Sequence, residues 1–165
     1  KSYCLAYREA GADGVVLAEP LAGLLSPELA EEFSEKYVKE IVDTVQNDHF
    51  IVIYHNCGNS ALSMLPSILR TGAAAFHFGN AVDMEEILRK VPEDTMVMGN
   101  VDPAAQFRNG TPESVRQATL ELLNKCGGYG NFVLSSGCDI PPMSRWENID
   151  AFFAASEEYD QEGIA

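Results

Sequence analysis

Five short runs of apolar, β-branched and aromatic residues punctuate the chain, at residues 14–18, 50–54, 74–78, 95–99 and 131–134. Each has the length of a strand, and none alternates cleanly with polar positions. Near-continuous apolar runs predict a parallel sheet that is buried on both faces. The stretches between them carry a helical period instead. After Ser26, the positions Phe33, Tyr37, Val38, Ile41, Val42 and Val45 fall on one stripe, with Ser26 as cap and Pro27 at the first helical position. After Thr111 and Pro112, a stripe of Val115, Ala118, Thr119, Leu122, Leu123 and Cys126 stops at Gly127 and Gly128. Shorter helices are predicted at 60–70, ended by Gly72, and at 84–90, ended before Pro92, with a leading helix at 2–10. A last helix follows Trp146, runs through Phe152 and Phe153, and fades into a frayed acidic tail at 157–162.

Strand and helix alternate five times, which predicts a parallel α/β architecture. An open doubly wound sheet would advertise a Gly-rich turn after its first strand, and no G-x-G-x-x-G occurs. Polar residues gather just past several strands instead: Glu19, His55 to Cys57, Asn100 to Asp102, and Cys138 with Asp139. A (β/α)₈ TIM barrel keeps its chemistry on those βα loops. Five strands are too few to close a barrel, which typically takes about 250 residues. Residues 1–165 are therefore expected to be the C-terminal portion of a single (β/α)₈ barrel, about five βα units with the N-terminal strands absent. The chain opens on Lys1 inside a predicted helix, which points to sequence upstream.

Composition narrows the partners. Eleven basic residues stand against 25 acidic ones, a net charge of −14. Such a field repels phosphate backbones and anionic lipid, so nucleic acid and membrane surfaces are excluded as partners. No apolar run approaches the ~20 residues of a membrane helix, and no secretory signal opens the chain. The four cysteines (Cys4, Cys57, Cys126, Cys138) are irregularly spaced, which favours a reducing cytoplasm over a disulfide framework. There, a Cys close to a His is a metal or reactivity candidate.

The run 50–54 leads directly into His55-Asn56-Cys57-Gly58. In extended backbone, residues i and i+2 point to the same side, so His55 and Cys57 can share one target. A third soft donor, Cys138, follows the last strand in Ser136-Gly137-Cys138-Asp139. An imidazole with two thiolates suits zinc, and three protein ligands leave a position for substrate. Two cysteines packed as small core residues are the alternative that spacing alone leaves open.

The motifs H-x-C-G, then G-N-V-D-P, N-G-T-P-E-x-V, S-x-G-C-x-I-P-P and E-N-I together resemble the uroporphyrinogen decarboxylase superfamily. So do Gly11-Ala12-Asp13-Gly14, Glu19-Pro20 and Leu25-Ser26-Pro27 upstream. Within it, H-x-C with a later Cys resembles the zinc-containing, corrinoid-dependent methyltransferases of the methylcobamide:coenzyme M type. The resemblance covers nearly the whole chain and implies a methyltransferase. Zinc held by His55, Cys57 and Cys138 would activate a small thiol such as coenzyme M, which would take a methyl group from a corrinoid (methylcobamide). That corrinoid would be supplied by a separate methylated corrinoid protein docking at the barrel mouth. A homodimer is a further expected assembly. Glu19 is expected as a catalytic carboxylate and exchangeable fourth ligand. Asp102 is expected at the mouth as a second catalytic group, and Asn100 as a cofactor contact. Two departures stand out. His77 lies on a strand where the pattern does not require one, and Met143-Ser144-Arg145 stands where many relatives carry Thr-Pro, which puts the acceptor's identity in question.

Several residues are set aside. Cys126 sits on an apolar stripe and reads as core, Cys4 as inert, and His49 as an exposed loop residue. Trp146, Phe152 and Phe153 read as packing, and the sequon at Asn109 has no use in a cytoplasmic protein. Two other functions compete: decarboxylation of a tetrapyrrole carboxylate, which leaves the His–Cys–Cys set idle, and a non-catalytic docking fragment for a corrinoid protein.

Overall fold

The computed structural model describes residues 1–161 and 163. They fall into two compact units, Lys1–Val82 and Asp83–Ala165.

The first unit contains α1 (Ser2–Glu9), β1 (Gly14–Ala18), α2 (Pro27–Ala30), α3 (Lys36–Val45), β2 (Ile51–Asn56), α4 (Leu65–Arg70) and β3 (Ala75–Phe78). Its three strands are parallel, with β2 between β1 and β3; Ala18 pairs with His55, and His55 with His77. Ser26 caps α2 by accepting the Leu29 amide at 3.3 Å, with Pro27 in the first turn as the sequence predicts. α2 then passes through a π-helical turn, Glu31–Glu35, into α3. A π turn inserts an extra residue and rotates the faces on either side of it. The buried line is accordingly Ala30, Ser34, Val38, Val42 and Val45, while Phe33 and Tyr37 are exposed. This corrects the predicted stripe: Ser34 takes the inward position because its hydroxyl finds polar partners there.

The helix predicted at 60–70 begins only at Leu65, after a series of turns. Pro66 has no amide hydrogen to donate one turn back, so regular helix starts around it. Gly72, at φ +74°, ends it as expected. Val52 and Tyr54 from β2, Phe76 and Phe78 from β3, and Val38, Val42 and Val45 from α3 are buried together in this unit. Burial on both faces, expected for every strand, is not found on β1 and β2: Val52 and Tyr54 are buried on one face, but Val16 on β1 is 60% exposed and Ile51 on β2 is 42% exposed. The opposite face of β1 and β2 lacks enough apolar partners among the described residues.

The second unit contains α5 (Met84–Leu88), β4 (Met96–Val101), a π-helical turn (Pro103–Arg108), α6 (Pro112–Cys126), β5 (Phe132–Ser136) and α7 (Trp146–Gln161). β4 and β5 are parallel, with Val101 opposite Ser136. Thr111 and Ser114 form a reciprocal capping box at the start of α6. Val101, Phe107, Val115 and Phe152 form the core between the strands and α6 and α7. The tail predicted to fray at 157 remains helical through Gln161, because Tyr159 is buried and Arg116 pairs with Glu158; Glu162 lies outside the described residues.

Asn148 locks this unit. Fully buried, its Nδ2 donates to the carbonyls of Phe107 and Gly110 at 3.0 Å each and of Gln106 at 3.3 Å. These carbonyls end the π-helical turn, where backbone acceptors lack partners within the helix. Gln106 O also accepts the Gly110 amide, so Asn148→Ala would take the side-chain donor from the Phe107 and Gly110 carbonyls above all, and we expect a loss of about 1–3 kcal/mol in urea denaturation. An unchanged midpoint would show the clamp to be dispensable.

Cys126, at the end of α6, is fully buried, and its thiol is pushed up to about 11 by burial, with Glu85 and Asp83 adding to the effect. The unfolded chain loses this proton near its ordinary value of 9.0, so between that pH and about 11 the folded protein holds more protons than the unfolded one. Stability therefore falls as pH rises through this window. The melting temperature of Cys126→Ala should decline less steeply than that of the parent across the same range; parallel declines would remove Cys126 as the cause.

Candidate metal centre

β2 builds the first part of the site. Strand alternation puts Val52, Tyr54 and Asn56 on one face and Ile51, Ile53 and His55 on the other, with Cys57 directly after the strand end. His55 is buried and Cys57 half-buried, and their ligand atoms lie within 4.8 Å of each other. The strand extends two residues beyond the predicted run, so His55 is held by the β-ladder and not by a loop.

The orientation of His55 is specified. Its Nδ1 lies 3.2 Å from the carbonyl oxygen of His77. A carbonyl can only accept, so Nδ1 carries the hydrogen, and in the neutral ring the lone pair sits on Nε2. Metal-binding histidines use this arrangement, donating from one nitrogen to a carbonyl and coordinating with the other. The two imidazole rings also stack, with centroids 4.6 Å apart and planes at 34°. A nitrogen with a fixed lone pair beside a thiol fits a zinc ion.

The backbone around Cys57 is closely packed. A Cβ on Gly79 would come 2.7 Å from Cys57 Cα and 2.8 Å from its Cβ, and the Gly79 amide donates to the Asn56 carbonyl at 3.1 Å. Gly58 and Gly23 approach each other so closely that a Cβ on either would clash with the other's backbone. Only glycine fits these positions.

Glu19 continues the β1–β2 ladder through its amide, which donates to the His55 carbonyl at 3.2 Å. Its carboxylate faces the helical side: Oε2 accepts from the Tyr54 hydroxyl at 2.9 Å and from the Ser34 hydroxyl. The π-helical turn presents Ser34 to it. Burial pushes the Tyr54 phenol up to about 12, with the Glu19 charge adding to the rise, so Tyr54 remains a donor at neutral pH. Asn56 is buried beside this group, and its Oδ1 accepts the Gly58 amide at 3.0 Å.

In the second unit, Cys138 follows β5 and is half-buried. Its turn is set by the Ser136 hydroxyl, which donates to the Cys138 carbonyl at 2.7 Å, and by the Gly137 amide, which donates to Val101 O at 2.7 Å. Asn100 lies on β4 and is half-buried. Asp102 caps the following π-helical turn, its Oδ1 accepting the amides of Ala104 and Ala105 at 2.9 and 2.8 Å. The segment after Cys138 lines an open cavity of about 650 Å³ with Pro141, Met143, Arg145 and Trp146. The sequence reading gave no role to Ser34, Tyr54, Asn56 or Asn148. The E-N-I motif flagged the last, whereas nothing in the pattern marks a π turn that brings a serine to Glu19.

The uroporphyrinogen decarboxylase (URO-D) family model matches residues 1–159. Methylcobamide:CoM methyltransferase MtbA of Methanosarcina mazei is 32% identical over 160 residues, covering 96% of this chain and 45% of that protein. Uroporphyrinogen decarboxylase of Prochlorococcus marinus is 32% identical over 155 residues, covering 93% of this chain and 43% of that protein. A solved methyltransferase structure from Methanosarcina mazei aligns with a TM-score of 0.81 at 26% identity, over 96% of this chain and 45% of that one. The chain thus spans less than half the length of the curated relatives it matches, and its α/β fold is the C-terminal part of a (β/α)₈ barrel. Among the described residues, no helix is long and apolar enough to cross a membrane. With the family model matching 159 of 165 residues, the chain belongs to the uroporphyrinogen decarboxylase family.

Proposed function

We propose that this chain carries the thiol-activating part of a methyltransferase, in which a methyl group passes from a corrinoid on a separate protein to a small thiol. The observation that carries the reading is the His55–Cys57 pair with His55 Nδ1 fixed on the His77 carbonyl. His55, Cys57 and Cys138 are proposed to converge on one zinc ion. The family model spanning both units and the methyltransferase relatives support that convergence. Zinc, when bound, supplies a Lewis acid that lowers the pKa of a coordinated thiol from its usual value near 8.5 and holds the thiolate for attack.

The chain's own residues supply the geometry. His55, with Nδ1 turned to the His77 carbonyl, would offer Nε2 to the ion, and Cys57 and Cys138 would offer their sulfurs. Three protein donors leave one position for the acceptor thiol. Asp102 orders the loop after β4 through its two amide contacts, and Asn100 just before it is proposed to touch the incoming cofactor. The exchangeable-ligand role drawn for Glu19 requires it to give up its bonds to Ser34 and Tyr54; as placed, it ties the end of β1 to β2. The second reading, tetrapyrrole decarboxylation, rests on an identity to uroporphyrinogen decarboxylases equal to that with the methyltransferase, and it makes no use of the thiols.

Metal analysis separates the two. The purified protein should hold about one zinc per chain, and Cys57→Ala and Cys138→Ala should each lose it while keeping the parent's circular dichroism. Retention of zinc by Cys138→Ala would remove that residue from the site, and a metal-free parent that resists zinc loading would favour the decarboxylase reading.

A further inference from the structure

The end of β3 packs against His55 and Cys57 and makes four separate contacts there. The His77 carbonyl takes the Nδ1 hydrogen of His55 at 3.2 Å. The His77 ring lies against the His55 ring at 4.6 Å, a contact that follows from the register pairing the two residues across the ladder. Two residues on, Gly79 sits where any side chain would collide with Cys57, at 2.7 Å from Cα and 2.8 Å from Cβ. Its amide holds the Asn56 carbonyl between the two ligands at 3.1 Å.

We infer that the segment His77-Phe78-Gly79 is the template that positions both ligands: the His77 ring keeps His55 from turning out of plane, and the bare Cα of Gly79 fixes where the Cys57 sulfur lies. Both are positioning residues, since they act through His55 and Cys57. The carbonyl sets which way the ring points, and the flat His77 ring against one face narrows the swing about the Cβ–Cγ bond that a hydrogen bond still permits. Phenylalanine at 77 would preserve the flat partner and the carbonyl, whereas alanine would preserve only the carbonyl. Alanine at 79 must push β3 and Cys57 apart, because the atoms it meets are the Cα and Cβ of Cys57 and not the end of a flexible side chain.

The inference rests on the zinc reading, and the experiment keeps the two apart. Zinc affinity is measured by chelator competition on the parent, His77→Ala, His77→Phe, Gly79→Ala and Cys57→Ala. Cobalt(II) absorption reports ligand geometry, and nitrogen NMR of the metal-free protein reports the His55 tautomer. We expect His77→Ala and Gly79→Ala to bind zinc about 10- to 100-fold more weakly, the range seen when groups behind a ligand are removed. His77→Phe should stay close to the parent. Cobalt bands should shift in the two weakened variants, and metal-free His77→Ala should lose the single Nδ1–H form that the parent shows. If Cys57→Ala loses the metal while His77→Ala and Gly79→Ala match the parent in affinity and spectrum, the template is wrong and the zinc site stands. If the parent binds no metal, both fall. Should Gly79→Ala fail to fold, the contrast between alanine and phenylalanine at 77 still decides.

Discussion

The parallel register that sets His55 opposite His77 governs everything at the site. Side chains alternate along a strand with a period of two, so a slip of one residue between β2 and β3 would turn His55 and Cys57 to the helical face and bring Tyr54 and Asn56 to the other. The register is fixed by what lies on the helical face. Val52 and Tyr54 are fully buried there against α3, and Phe76 and Phe78 on β3 are buried as well. Exposing those side chains would cost about 1.5–3 kcal/mol each, far more than a ladder hydrogen bond gains. An apolar core on one side of the sheet thereby holds a polar pair on the other.

The same core has a polar boundary. Glu19, Ser34, Tyr54 and Asn56 form a group at the C-terminal ends of β1 and β2. The half-buried Glu19 carboxylate has lost part of its water, and hydroxyl donors take its place. The π turn between α2 and α3 meets this need, since a regular helix continuing from Ala30 would present a different face at position 34. That requirement explains why two aromatic residues, Phe33 and Tyr37, are left exposed while a serine is buried. The helix is wound to satisfy Glu19, and the apolar stripe yields to it.

Much of this could be read in the sequence. The five strands, the caps at Ser26 and Thr111, the stops at Gly72 and Gly127, and the His–x–Cys pair all follow from local rules in which each residue's preference acts within a few positions. Apart from the late helix start at Pro66, what escaped depends on distant partners. Pro66 shortens a helix because it removes one donor, a local effect that the apolar period concealed. The buried stripe of α3 shifted because of a carboxylate on another element. α7 persists to Gln161 because Arg116, 42 positions earlier, meets Glu158. Asn148 stood in a recognised motif, yet its function as a clamp on three carbonyls was invisible without the turn they terminate.

Fold likeness cannot choose between the chemistries of this family. The chain is as similar to a methyltransferase as to a decarboxylase, 32% in both comparisons, and one scaffold hosts many reactions. The choice has to come from the atoms at the strand ends. A thiol and an imidazole held within 4.8 Å, the imidazole in a single tautomer, form an arrangement with no evident purpose in binding a polycarboxylate. Soft, electron-rich donors in an acidic protein suit a cation. The donor set is therefore stronger grounds for metal-assisted thiol chemistry than the overall similarity is for either alternative.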